Sequence, residues 1–162
     1  MPSITKRNEI DENRKKIFVE WEKSHDLIKT EVEALISSFE NIKTIPNPQF
    51  QDLTIKFYCI HLCNYFLFHI RKLLVDKNKN SEAEKLLLNG FTNTSNTPSP
   101  TIMYNLLSFL VRNDDTLNFL CDSYKKIQEL RNKYAHGASN ETSLSITTDE
   151  YKKIYDEITS LN

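Results

Sequence analysis

Two side chains near the end of one predicted helix could do chemistry. They are Arg131 and His136, in the run Leu130-Arg131-Asn132-Lys133-Tyr134-Ala135-His136-Gly137. At about 100° per residue, Leu117, Leu120, Tyr124, Ile127 and Tyr134 share one apolar stripe, with Cys121 and Ala135 on its edge. Arg131 falls near the middle of that stripe. A guanidinium there is costly unless an anion meets it, so the chemistry implied is anion recognition. The plainer reading is structural. A helix-terminal His beside Gly137 is a common C-cap, because a cation suits the negative end of the helix dipole. An Arg in such a stripe also pairs with a buried Glu or snorkels to water.

The elements that position this run read as helices throughout. From about Ile10 to Glu40, Ile17, Trp21, Ile28, Val32, Leu35 and Phe39 recur at helical spacing, predicting one long helix with a bend near Ser24-His25. Pro46 and Pro48 forbid regular helix across Asn41 to Gln49. Gln49 to Asp76 is the most aromatic segment, apolar around most of its circumference, as expected of the central helix of a bundle. Ser81 with Glu84 makes a capping box for a short helix over Glu82–Leu88, ended by Asn89-Gly90. The Thr-, Ser-, Asn- and Pro-rich run 91–100 reads as a mobile loop, followed by a helix over about Thr101–Val111. The motif helix spans about Asp115 to His136, with Asn113-Asp114-Asp115 as turn and cap. A polar loop, 138–148, has a brief extended stretch at Leu144-Ser145-Ile146. Thr147 with Glu150 then caps a last helix over about Asp149–Ser160, apolar at Tyr151, Ile154, Tyr155, Ile158 and Leu161.

Bulk composition narrows the class. The 162 residues fit one domain, 1–162, with residues 1–8 as a frayed terminus. Two glycines and five prolines argue against a turn-rich sheet protein. Twenty-one Lys and Arg stand against 22 Asp and Glu, so no global basic footprint for nucleic acid exists and any RNA contact is a local patch. Cys59, Cys63 and Cys121, an odd count, read as reduced thiols of a cytoplasmic protein. The polar N-terminus carries no secretory signal. Leu53–Val75, interrupted by Lys56, His61, Asn64, His69 and Arg71, reads as a core helix and not a membrane span.

The run Arg131-Asn132-Lys133-Tyr134-Ala135-His136 resembles the signature of the HEPN superfamily: an Arg, then Asn, Asp or His, a few residues, then His. The resemblance covers this motif and the helical layout. It implies an all-α fold, a HEPN-like bundle of four main helices plus short extra helices, that usually forms a homodimer. It further implies a metal-independent, cofactor-free endoribonuclease of toxin–antitoxin or antiviral-defence type, whose partners are RNA and an antitoxin or regulatory protein. In that reading the ribose 2′-OH attacks the adjacent phosphate. His136 moves the proton, with an ordinary pKa near 6.5 that suits the task, and Arg131 holds the phosphate and steadies its developing charge. Asn132 orients His136 or the phosphate by hydrogen bonding. Lys125, Lys126 and Lys133, with Arg131, read as a solvated helix face or as a patch that tracks the backbone, and Tyr134 reads as a core or dimer-interface residue or as a platform for a base. One position departs from the family's antitoxin-modified toxins: Ala138 stands where they carry a Tyr two residues after the His.

On an ideal helix Arg131 and His136 point about 140° apart, so they converge only if the helix ends before His136 or a two-fold dimer brings two motifs together. Cys59, His61 and Cys63 do not share a face, and they read as core packing and not as metal ligands. His69, Arg71 and Lys72 read as cations at a helix C-terminus, with an RNA-groove role as the alternative. Two rival functions stand beside the nuclease: a non-catalytic HEPN module that binds a nucleotide or partner protein, and a structural bundle in which Arg131 meets a buried carboxylate.

Overall fold

The computed structural model describes residues 4–77, 99–135 and 146–161. Six helices lie among them: α1 (Ile4–Ser37), α2 (Phe39–Lys43), α3 (Pro48–Lys77), α4 (Pro100–Leu110), α5 (Asp114–Ala135) and α6 (Thr148–Thr159). No strand occurs among the described residues. The expected helix at Glu82–Leu88, its stop at Asn89-Gly90, most of the loop before α4 and most of the loop before α6 lie outside them.

The helix boundaries follow local chemistry. α1 starts earlier than its apolar spacing suggested, and its backbone is helical straight through Ser24-His25. Ser38 breaks it before Phe39, so the predicted single helix is two. Asn47 caps α3, its Oδ1 accepting from the N–H groups of Gln49 and Phe50 at 2.9 and 3.3 Å. Pro48 is the first helical residue, where its missing N–H costs nothing. Asn113 does the same for α5, accepting from Asp115 and Thr116 at 3.0 and 3.3 Å. Asp114 and Asp115, expected as the cap, instead sit in the first turn, where their charge suits the helix dipole. The Thr147–Glu150 capping box forms as the sequence predicts.

α3 is the centre of the bundle and touches all five other described helices. Leu62, Tyr65, Phe66 and Ile70 of α3 form one buried core with Leu117, Leu120, Tyr124, Ile127 and Leu130 of α5 and Tyr151, Ile154 and Ile158 of α6. Tyrosine hydroxyls tie the layers. Tyr151 donates to the Tyr58 carbonyl at 2.9 Å, and Tyr155 donates to a Glu33 carboxylate oxygen at 2.5 Å. On α1, Val32 is fully buried and Ile28 packs against the core. Ile17 and Trp21 fall where only the backbone is described. Ile146 is buried just before α6 and belongs to no regular element.

Leu120 has no exposed surface and lies at the α3–α5 contact. Leu120→Ala should therefore lower unfolding stability by about 2–5 kcal/mol in a urea titration monitored by helical circular dichroism. A loss below about 0.5 kcal/mol would show that this face is not packed as described.

Candidate functional site

α5 delivers the motif because its buried face is anchored over four turns and then runs out of core. Leu117, Leu120, Tyr124, Ile127 and Leu130 are buried, and the Tyr124 ring stacks on Phe66 with centroids 5.2 Å apart. Beyond Leu130 the stripe leaves the core. Arg131, Asn132 and Lys133 are half-buried, and Tyr134, read from spacing as a member of the apolar stripe, is 39% exposed. Leu130, not placed in the stripe by spacing, takes the last core position.

Arg131 Nη1 donates to Asn132 Oδ1 at 2.7 Å, so the neighbouring amide fixes one edge of the fork. Among the described residues no carboxylate pairs with Arg131. The guanidinium lies close enough to buried Cys63 and Tyr124 to draw both pKa values down, against a larger upward push from burial. His136, Gly137 and Ala138 lie outside the described residues; α5 runs to Ala135. Lys125 is exposed. Lys126 is already engaged, bonding Glu150 Oε1 at 3.0 Å. The Thr147 N–H, followed by Lys126, holds the Glu150 carboxyl below its ordinary range.

An aromatic edge adjoins this helix end. The Tyr134 ring meets Phe57 of α3 edge-on at 5.7 Å, and Phe57 meets His61 at 5.9 Å. His61 Nδ1 lies 3.3 Å from Glu31 Oε2 on α1. Phe50, Leu53 and Phe57 are all exposed, whereas the sequence suggested that the aromatic helix is covered along its length. Their spacing of three and four residues was a legible signal of one face, spanning about 60°.

The titratable residues of α3 differ from their sequence reading. His69 is half-buried and bonded to His25 Nε2 through Nδ1 at 3.0 Å; Arg71 is 7% exposed and faces Tyr124. Neither lines an open groove. Cys59 and Cys63 are core residues, and burial pushes each thiol up to about 12. Among the described residues no group of three His, Cys, Asp or Glu side chains is placed to hold a metal ion. None of the described helices is long and apolar enough to cross a membrane.

The described residues form an all-helical bundle wrapped on α3, with a half-buried arginine near the end of the motif helix. The sequence matches the RiboL-PSP-HEPN family over residues 24–161, and the chain belongs to that family. No curated protein and no solved structure gives a match. Membership groups the chain with nuclease-type or nucleotide-related modules; HEPN domains are commonly ribonucleases, often dimerise and bind RNA.

The thiol environments give a direct check. A small thiol reagent at neutral pH should modify half-exposed Cys121 in the folded protein and spare Cys59 and Cys63 until denaturant is added. Mass spectrometry of the labelled peptides reads the difference; early labelling of Cys59 or Cys63 would contradict their burial.

Proposed function

We propose that this chain is a single HEPN domain that acts as a metal-independent endoribonuclease. The observation that carries the reading is Arg131: a half-buried guanidinium at the end of an apolar stripe, braced by Asn132 and met by no carboxylate among the described residues. A structural arginine at such a position is expected to meet an acid. An unneutralised fork at an open helix end suits a phosphodiester.

The chemistry follows from the residue types. The 2′-oxygen attacks phosphorus, its proton passes to an imidazole, and the bond from phosphorus to the 5′-oxygen breaks. The products are a 2′,3′-cyclic phosphate and a 5′-OH end that takes up a proton. His136 is the proton carrier and Arg131 stabilises the charge on the phosphorane, with Asn132 holding the guanidinium in plane. DNA lacks the nucleophile and is spared. Lys133 and Tyr134 lie in the last turn of α5 and extend the contact to flanking nucleotides, and exposed Lys125, further back on the helix, adds positive charge; Lys126, bound to Glu150, contributes less.

A homodimer completes the site. The exposed Phe50, Leu53 and Phe57 face beside Tyr134 supports a two-fold contact that sets two motifs in one cleft. Toxicity restrained by an antitoxin or regulatory protein, within a reducing cytoplasm, fits the family and the unpaired thiols. Control by modification of a Tyr after the His does not fit, because Ala138 occupies that place.

Purified protein incubated with total RNA in EDTA should give fragments ending in cyclic phosphate. Arg131→Ala and His136→Ala should each lower the rate by about 100-fold or more. EDTA-sensitive cleavage, or full activity in either variant, overturns the mechanism. Intact RNA together with calorimetric binding of nucleotides would favour a binding module. Light scattering should report a dimer, and Phe57→Lys should shift it to monomer while circular dichroism stays unchanged. A monomeric wild-type protein would remove the composite site.

A further inference from the structure

Three rings stand in a row at the open side of α3, with Phe57 in the middle. Tyr134 of α5 meets the Phe57 ring edge-on, with centroids 5.7 Å apart and an interplanar angle of 69°. His61, one turn further along α3, meets the same ring at 5.9 Å and 70°. Phe57 and Tyr134 are exposed and His61 is half-buried, so the row keeps a surface in water. His61 has no role in the chemistry described above.

The two ends of the row differ in charge. Arg131 stands one turn before Tyr134, about 60° round the same helix, and no carboxylate among the described residues meets it. At the other end the Glu31 carboxylate of α1 reaches His61, with Oε2 3.3 Å from Nδ1. Glu31 is exposed, and among the described residues no other cation pairs with it. His61 occupies one side of one oxygen, and the rest of the carboxylate remains an acceptor. An aromatic strip thus runs from a guanidinium to a carboxylate.

A nucleotide has the matching polarity. Its phosphate is an anion, its base has a π-face, and the far edge of the base carries N–H donors. Bases differ at that edge. Guanine offers two adjacent donors, N1–H and the N2 amino group, which suit the two oxygens of a carboxylate. Adenine and cytosine offer one amino group beside a ring-nitrogen acceptor. Uracil offers one N–H between two carbonyls, and a carboxylate repels both carbonyls.

We propose that Glu31, held by His61, reads the base next to the phosphate on Arg131 and selects guanine. The inference rests on the RNA reading of Arg131 and deepens it. Glu31 is the specificity-determining group, because its oxygens meet the base. His61 is a positioning residue: it lies between the Phe57 edge and the carboxylate and limits where that carboxylate points. Tyr134 supplies stacking that is blind to base identity. The dimer contact proposed above begins at Phe57 and runs the other way, toward Leu53 and Phe50, which leaves the His61 side of the strip to the ligand. The Glu31–His61 contact also joins α1 to α3, but a part-exposed pair of this kind adds little to stability, so Glu31→Gln should not disturb the fold.

The test is fluorescence anisotropy of the full chain with dye-labelled 2′-O-methyl oligouridines, which hold no free 2′-OH and so stay intact. Three strands carry a single central guanine, adenine or cytosine, and the fourth is uridine throughout. The guanine strand should bind about tenfold or more tighter than the all-uridine strand. Glu31→Gln should erase the difference while the urea unfolding midpoint stays in place. Tyr134→Ala should weaken all four strands alike and keep their order. Equal binding of the four strands, no binding of any, or a guanine preference that survives Glu31→Gln overturns the proposal. The nuclease reading fails separately. A chain that prefers guanine but leaves total RNA intact keeps the base-reading strip and loses the catalysis, and one that cuts RNA without regard to guanine does the reverse.

Discussion

The constraint on which the molecule depends is that α3 has almost no solvent face. From Tyr58 to Asp76 not one of its residues is exposed. A helix so enclosed cannot satisfy itself with one partner, so α1, α5, α6 and the short α4 must all dock on it. Their docking fixes where α5 ends, and with it the position of Arg131. The enclosure also explains the polar contacts inside the bundle. Tyr65, Tyr151 and Tyr155 carry hydroxyls into the interior, and each finds an oxygen on a neighbouring element.

Along its first ten residues α3 loses this cover. Phe50, Leu53 and Phe57 stay in water, beside Tyr134 at the end of the motif helix. Among the described residues α3 is thus covered along most of its length and open at its start, and the end of α5 that carries Arg131 and Tyr134 lies beside the open part. A core whose last residue on α5 is Leu130 leaves the adjoining Arg131 half-buried without giving it an acid among the described residues. That is the physical condition under which an arginine is available to an anionic ligand.

Much of this was legible before any coordinates. The apolar spacing of α5, the aromatic density of α3 and the Thr147–Glu150 box each dictate an element, and each element is there; the prolines at 46 and 48 interrupt helix only over 44–47, not across Asn41 to Gln49, because Pro48 fits the first helical position of α3. The motif placed Arg131 and Asn132 together, and they are bonded. What spacing does not carry is the end of a core. Nothing local in the sequence says that Leu130 is the last buried residue of α5, or that Tyr134 projects past it. Long-range pairing is equally silent. His25 and His69 are 44 residues apart on helices whose relative register only packing sets, and His69 read alone looked like an ordinary cation at a helix end. Asn47 is not singled out as a cap by the sequence because Pro48 is the more conspicuous signal, whereas Asn113 lies within the Asn113-Asp114-Asp115 turn and cap and proves to be the capping residue.

The carboxylate of Glu150 has two clients. One oxygen accepts from the Thr147 N–H at the entry to α6 at 2.8 Å, and the other accepts from Lys126 on the motif helix at 3.0 Å. Removing either client frees the rotor that the other relies on, so changes at 126 and 147 will combine non-additively even though 21 residues separate them in the chain. The cost of a substitution at any one of these three positions therefore depends on which residues stand at the other two.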